Sequence, residues 1–185
     1  RALRLATQLV SSNDPTQMVR LYPSYYWDQI AEAAHEAQVD PYLILSVIRQ
    51  ESFFNSDAVS RVGAVGLMQI MPQTGRKLAR SLGVRPFERQ LLFAPDVSIR
   101  LGTRFLGDQV RSFERGPAQN LGTALGLAAY NAGPRVTRSW LERFPYEDTD
   151  AFVERIPYKE TRLYVKKVLK NYAIYRTLNG STRTL

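Results

Sequence analysis

Apolar residues recur along this chain at the three-and-four spacing of a buried helix face, and no stretch of useful length alternates as a half-buried strand does. In YYWDQIAEAAHEAQ (25–38), Trp27, Ile30, Ala31, Ala34 and Gln38 fall along one side, with His35 beside them at the expected surface. Asp40 then offers an N-cap oxygen, Pro41 suits the first helical position, and Ile44, Val47 and Ile48 carry the stripe onward. Helical spacing resumes at Pro72 through Thr74, Leu78, Ala79 and Leu82, and stops at Gly83. Asp96 is expected to cap a long helix bearing Val97, Leu101, Phe105, Leu106, Val110 and Phe113, closed by Gly116-Pro117. Gly102 and Gly107 within it imply close helix packing, since glycine is otherwise unfavourable there. Leu121 to Tyr130 predicts the next helix, ended at Ala132-Gly133, and Pro134 opens another towards Trp140 and Leu141. Glu160, Thr161, Tyr164, Val165, Val168, Leu169, Tyr172 and Tyr175 define the last long one. Between these, residues 53–66, 84–96 and 143–157 read as loops, while Ala2 to Val10 carry a weak helical pattern broken by SSNDPTQ. The fold class expected is all-α.

One position breaks the pattern in a way that matters chemically. The stripe through Ile44, Val47 and Ile48 next lands on Glu51, a carboxylate where a hydrophobe is due. A carboxyl group leaving water for an apolar wall has its charged form disfavoured, so it can hold a proton near neutral pH, as a general acid must. A Glu satisfied by backbone or by Arg49 is the plainer alternative. Gln69 stands likewise among Leu67, Met68, Ile70 and Met71, and a buried amide there needs partners, of which a polar ligand is one. Of Phe53 and Phe54, at least one should join the core, and the other could form an apolar wall facing a sugar.

Composition narrows the classes. With 185 residues and 44% hydrophobic content, one core and one domain are expected. No run approaches the ~18 apolar residues of a transmembrane helix. The absence of Cys excludes disulfides and thiol nucleophiles, and a single His argues against a zinc enzyme. No metal or organic cofactor is expected. The net charge of +8 suits an acidic partner, although solubility alone would also explain it. Arg76, Lys77 and Arg80, and again Lys166, Lys167 and Lys170, have the spacing of solvated helix faces, and no nucleic-acid motif accompanies them. Arg1 in place of Met, with no leader pattern after it, leads to the expectation of a longer precursor.

Four segments add a resemblance. RQESFFN around Glu51, SRVGAVGLMQIMP from Ser60 to Pro72, AAYNAG from Ala128 to Gly133 and IPYKETRLYV from Ile156 to Val165 occur in one order and spacing. From about Tyr22 to Leu178 the chain thereby resembles the catalytic domain of soluble lytic transglycosylases, a family related to goose-type lysozyme that cleaves peptidoglycan. The resemblance implies a lysozyme-like helical domain over residues 22–180, with 1–21 as a linker or the end of a preceding helical domain and 181–185 as a tail. It implies Glu51 as the catalytic residue, Ser60 as a hydrogen-bonding neighbour, and Gly66, Met68, Gln69 and Met71 as substrate-binding residues. It further places Tyr130 near Glu51, Asn131 at the sugar site, and Glu154 and Tyr158 at the border of a groove for glycan and peptide. The implied partners are peptidoglycan strands and their peptide stems rather than nucleic acid, which in turn implies a periplasmic or cell-envelope location.

Most glycosidases employ two carboxylates. Here the motifs supply Glu51, and Asp57 lies in a loop with no catalytic role in the family pattern. The expected reaction is therefore cleavage with Glu51 acting first as acid and then as base, closing a 1,6-anhydro ring. A water-using muramidase, a non-catalytic peptidoglycan-binding module and a basic nucleic-acid-binding domain are the alternatives.

Overall fold

A computed structural model describes residues 15–114, 119–143 and 148–180. Among the described residues nine α-helices follow one another: α1 Pro15–Leu21, α2 Trp27–Ala37, α3 Pro41–Glu51, α4 Pro72–Ser81, α5 Pro95–Arg111, α6 Gly122–Ala132, α7 Pro134–Arg143, α8 Thr149–Arg155 and α9 Lys159–Gly180. Short 3₁₀ turns at Arg89–Phe93 and Gln119–Leu121 precede α5 and α6. The only strand-like pairings among the described residues are two isolated antiparallel bridges, Val59 with Val65 and Val65 with Ile70.

Two helices form the centre. In α3 every residue from Leu43 to Ile48 is buried, and in α6 Ala124 to Ala129 are buried without a break. A helix enclosed on all sides needs neighbours on all sides. For α3 these are α2 and α9, and for α6 they are α5, α7 and α9. The start of α3 is fixed as the sequence suggests: the Asp40 carboxylate accepts from the Tyr42 N–H at 2.8 Å, and Pro41 opens the helix. The other Asp40 oxygen accepts from the Tyr172 hydroxyl at 2.6 Å, tying α3 to α9. Tyr175 donates to the Pro23 carbonyl at 2.8 Å, which holds the segment before α2 against the same helix.

Several elements differ from the reading of the sequence. Asp96 is not the cap of α5: Ala94 is, and Pro95 takes the first helical position, so the helix starts two residues earlier and Asp96 lies in its first turn, where a negative charge suits the helix dipole. The segment 84–96 is more than a surface loop, because its 3₁₀ turn buries Leu92 completely. The segment 143–157 contains α8, capped by Asp148 accepting from the Ala151 N–H at 2.8 Å and buried through Phe152 and Val153. Seven residues are too few to reveal a helical period. The Ala2 to Val10 pattern, the Gly116-Pro117 break and the 181–185 tail lie outside the described residues.

The glycines of α5 do not mark close helix packing as expected: Gly107 faces the Arg111 and Val39 side chains, Gly102 faces a loop methionine, and the tight helix contact is at Gly126. A Cβ on Gly102 would collide with the Met68 side chain, and one on Gly126 in α6 would lie 2.7 Å from the Cα of Val110 in α5. Gly126→Ala should therefore force α5 and α6 apart and lower the unfolding free energy by about 1–3 kcal/mol, read from urea denaturation.

Candidate active site

Glu51 ends α3, and Ser52 caps the helix with its N–H on the Ile48 carbonyl at 3.0 Å. Because the preceding turns of α3 are enclosed, the Glu51 side chain emerges from the core into a cleft of about 250 Å³. Gln50, Asn131, Glu160, Leu163, Tyr164 and Lys167 complete the lining of that cleft. Three elements thus meet there: the C-terminus of α3, the end of α6 and the first three turns of α9.

Burial pushes the Glu51 carboxyl from its ordinary pKa of 4.5 up to about 7. The Tyr164 O–H opposes this by stabilising the carboxylate, and the charge of Glu160 adds to the rise. The Tyr164 hydroxyl is buried and among the described residues has no hydrogen-bond partner of standard geometry, yet it is close enough to Glu51 to act on its carboxyl as a donor. Such contacts are commonly loose before a substrate tightens them. Burial and the negative charge of Glu51 raise the pKa of Tyr130 and of Tyr164 well above the usual phenol value, so both remain donors at neutral pH.

The loop from Ser52 to Met71 runs from α3 to α4 and is held by local contacts. Phe53, Phe54 and Gln69 adopt left-handed backbone, as do Gly63 and Gly66. Gly66 has to be glycine: a Cβ there would overlap the Leu92 carbonyl oxygen and lie 2.9 Å from Ser98 Oγ. Gln69 donates through Nε2 to the carbonyls of Ala58 at 3.1 Å and Gly66 at 2.9 Å, so this amide hydrogen-bonds to loop backbone. The Ser60 hydroxyl accepts from the Ala64 N–H at 3.0 Å. Tyr130 reaches from α6 to donate to the Met68 carbonyl at 2.7 Å, pinning the loop beside Glu51. Asn131 accepts from the Thr161 hydroxyl at 2.7 Å, which joins α6 to α9 across the floor of the cleft.

One expectation needs correction. Met68 does not offer its side chain to a groove: it is completely buried, seated against Gly102 with its sulfur near the Thr103 hydroxyl. The reason is packing, since a flexible thioether fills the gap left by that glycine. Met71 is exposed at the start of α4. Glu154 pairs with Lys166 at 2.6 Å, and Tyr158 is exposed with its ring edge-on to Trp140 at 5.2 Å; neither lines the cleft. Of the two phenylalanines, Phe54 is buried and Phe53 is 72% exposed, with the Arg49 guanidinium 4.7 Å from its ring centre. Sequence reasoning passed over Glu160 and Tyr164 as site residues. They sit one helical turn apart in IPYKETRLYV, and that i, i+4 spacing is the signal that both face Glu51. Among the described residues no group of three His, Cys, Asp or Glu side chains could hold a metal ion.

The model of the transglycosylase SLT domain matches residues 28–153, well over half of the chain. The chain belongs to the transglycosylase SLT domain family. A second match, to the soluble lytic transglycosylase helical domain, covers residues 155–183 and so takes in α9. This SLT domain is 35% identical over 166 residues to the soluble lytic murein transglycosylase of Escherichia coli K12, covering 89% of this chain and 25% of that one. Its fold matches the X-ray structure of an inactive Glu-to-Gln variant of lytic transglycosylase Slt from Pseudomonas aeruginosa with a TM-score of 0.78, at 36% identity over 88% of this chain and 25% of that one. The 70 kDa soluble lytic transglycosylase in complex with bulgecin A gives a TM-score of 0.78 at 34% identity, covering 88% and 26%. The chain spans about a quarter of the length of these relatives. Like them, the SLT domain has a lysozyme-like all-α fold.

The raised pKa of Glu51 links its proton to stability. Between 4.5 and about 7 the folded protein holds a proton that the unfolded chain has released, so stability falls as pH rises through this window and is level above it. Glu51→Gln removes that loss. The variant should exceed the wild type by up to roughly 3 kcal/mol at about pH 8, with the gain vanishing towards about pH 4, read from denaturant unfolding across pH.

Proposed function

We propose that this SLT domain is the catalytic domain of a peptidoglycan lytic transglycosylase, cleaving the β-1,4 bond between N-acetylmuramic acid and N-acetylglucosamine. The observation that carries this reading is Glu51, a carboxyl group at the mouth of the core with a pKa of about 7, opening into a cleft. A group poised near neutrality serves as acid and as base with equal ease.

Protonated Glu51 donates to the glycosidic oxygen, and the bond from the anomeric carbon to that oxygen breaks. The leaving sugar keeps the proton as its 4-hydroxyl. The 2-acetamido group of N-acetylmuramic acid stabilises the positive anomeric carbon, in the manner of substrate-assisted glycosidases. Glu51, now a carboxylate, accepts the proton of the C6 hydroxyl as O6 closes on the anomeric carbon. The 1,6-anhydro ring forms without water and Glu51 returns to its starting state. Tyr164 steadies the carboxylate at mid-reaction, while Glu160 favours the protonated form from which the cycle starts. Tyr130 fixes the loop through the Met68 carbonyl, and Ser60, Gly66, Gln69, Met71 and Asn131 shape the sugar site beside it. A peptidoglycan substrate also assigns the domain to the periplasm or cell envelope. No helix among the described residues is long and apolar enough to cross a membrane.

Glu160 favours one second reading. It is another carboxylate on the same cleft, so it could activate a water and make the enzyme a muramidase. Mass spectrometry of fragments released from purified sacculi separates the two. Products lighter than the hydrated form by one water are expected, and fully hydrated reducing ends would establish the muramidase.

Glu51→Gln should lower turnover by roughly 10²–10⁴-fold while the fold persists. The wild type should lose activity on the alkaline side as the Glu51 proton is lost around pH 7. Tyr164→Phe should move that limb to higher pH, because it removes a group that stabilises the carboxylate, and Glu160→Gln should move it to lower pH. A limb unmoved in both variants would disconnect the rate from the Glu51 proton.

A further inference from the structure

A second concave site lies where α4 meets the loop that follows it. Arg76, Arg80, Val84, Arg85, Pro86 and Phe87 enclose a groove of about 580 Å³ that shares no lining residue with the Glu51 cleft. Its construction follows from the sequence. Gly75, Leu78 and Ala79 turn inward from α4, which leaves Arg76 and Arg80 one turn apart on the exposed side. Gly83 takes left-handed backbone after the helix, and Val84 donates to the Ala79 carbonyl at 2.9 Å, folding the chain back. Phe87 then lies against Gly75, where a Cβ would stand 2.9 Å from the ring, and Arg85 is brought up to the two helix arginines.

The charge of this groove is uncompensated. Four exposed cations are paired with carboxylates: Arg100 with Glu36 at 3.2 Å, Arg104 and Arg111 with Asp108 at 3.0 and 2.9 Å, and Lys166 with Glu154 at 2.6 Å. Among the described residues Arg76, Arg80 and Arg85 have no such partner, and Lys77 adds a third positive charge to α4. Glu88, next in the loop after Phe87, does not line the groove. Three arginines lining one groove repel one another, and that repulsion is relieved by an anion in the groove. Guanidinium forks match carboxylates in particular, by paired parallel hydrogen bonds.

We propose that this groove is a carboxylate-binding site that takes the peptide stems of peptidoglycan outside the catalytic cleft and holds the domain on its polymer. This rests on the substrate proposed above. Peptide stems fit better than a phosphate polymer because the floor is apolar, made by Val84, Pro86 and Phe87, and suits the aliphatic body of a peptide between its charges.

The test is co-sedimentation with purified sacculi in the Glu51→Gln background, where strands are not cut. Intact sacculi are compared with sacculi whose stems have been removed by an amidase, over a range of salt. The combined variant Arg76→Gln, Arg80→Gln, Arg85→Gln should bind intact sacculi roughly tenfold more weakly, lose the preference for intact over stripped material, and melt at an unchanged temperature. With Glu51 restored, it should still cleave a short soluble glycan at the parental rate. A charge-matched control, Arg20→Gln, Lys170→Gln, Arg176→Gln, should retain the preference. Equal weakening in the control would reduce the effect to net charge and overturn the proposal, as would undiminished binding by the groove variant. Arginine-dependent binding of polyphosphate, with no preference for stems, would overturn it in favour of a phosphate site. If the active-site reading fails instead, the domain with Glu51 intact releases no fragments yet still prefers intact sacculi, so the two failures are told apart.

Discussion

The enclosure of α3 is the constraint on which the rest of this structure depends. Six consecutive buried residues leave that helix no free face, so α2 and α9 must close around it and α6 must stand beside α9. The helix nevertheless ends on a carboxylate. Glu51 can meet solvent only where the surrounding helices fall short, and that gap is the cleft. The position of the acid and the perturbation of its pKa thus have one cause, the packing of apolar side chains around a helix whose last residue is ionisable.

The surroundings of Glu51 divide into two kinds of work. Burial raises its pKa towards neutrality, and on α9 Tyr164 and Glu160 act on its charge in opposite directions, the first lowering and the second raising that value. On the other side the loop from Ser52 to Met71 is held by its own polar contacts: Gln69 on two carbonyls, Ser60 on Ala64, and Gly66 against Leu92. Tyr130 joins the two by donating to the Met68 carbonyl while its phenol feels the Glu51 charge. Such a loop stores left-handed backbone at bulky residues, a local cost borne by the packing around it.

Long elements with clear apolar periods and proline or glycine at their ends, such as α3, α4, α7 and α9, could be placed from local pattern and capping chemistry. The short α8 and the 3₁₀ turn that buries Leu92 could not, because fewer than two helical turns leave no period to read. Asp96 misled for a local reason: a capping residue just after a proline competes with that proline for the helix start.

By itself the sequence determined the helical class, the break of pattern at Glu51, and the motifs that resemble a lytic transglycosylase. Periodicity, capping and turn preferences act over a few residues, and a carboxylate in an apolar stripe is visible without knowing its neighbours. Only the tertiary structure decided what surrounds that carboxylate. Tyr164, Glu160 and Asn131 reach it from more than 75 positions away in the chain, and Met68, which the sequence allowed at a groove, is drawn inward by the space above Gly102. The pKa of Glu51 depends on burial and on charges brought close by packing, and neither exists until the helices have closed around it.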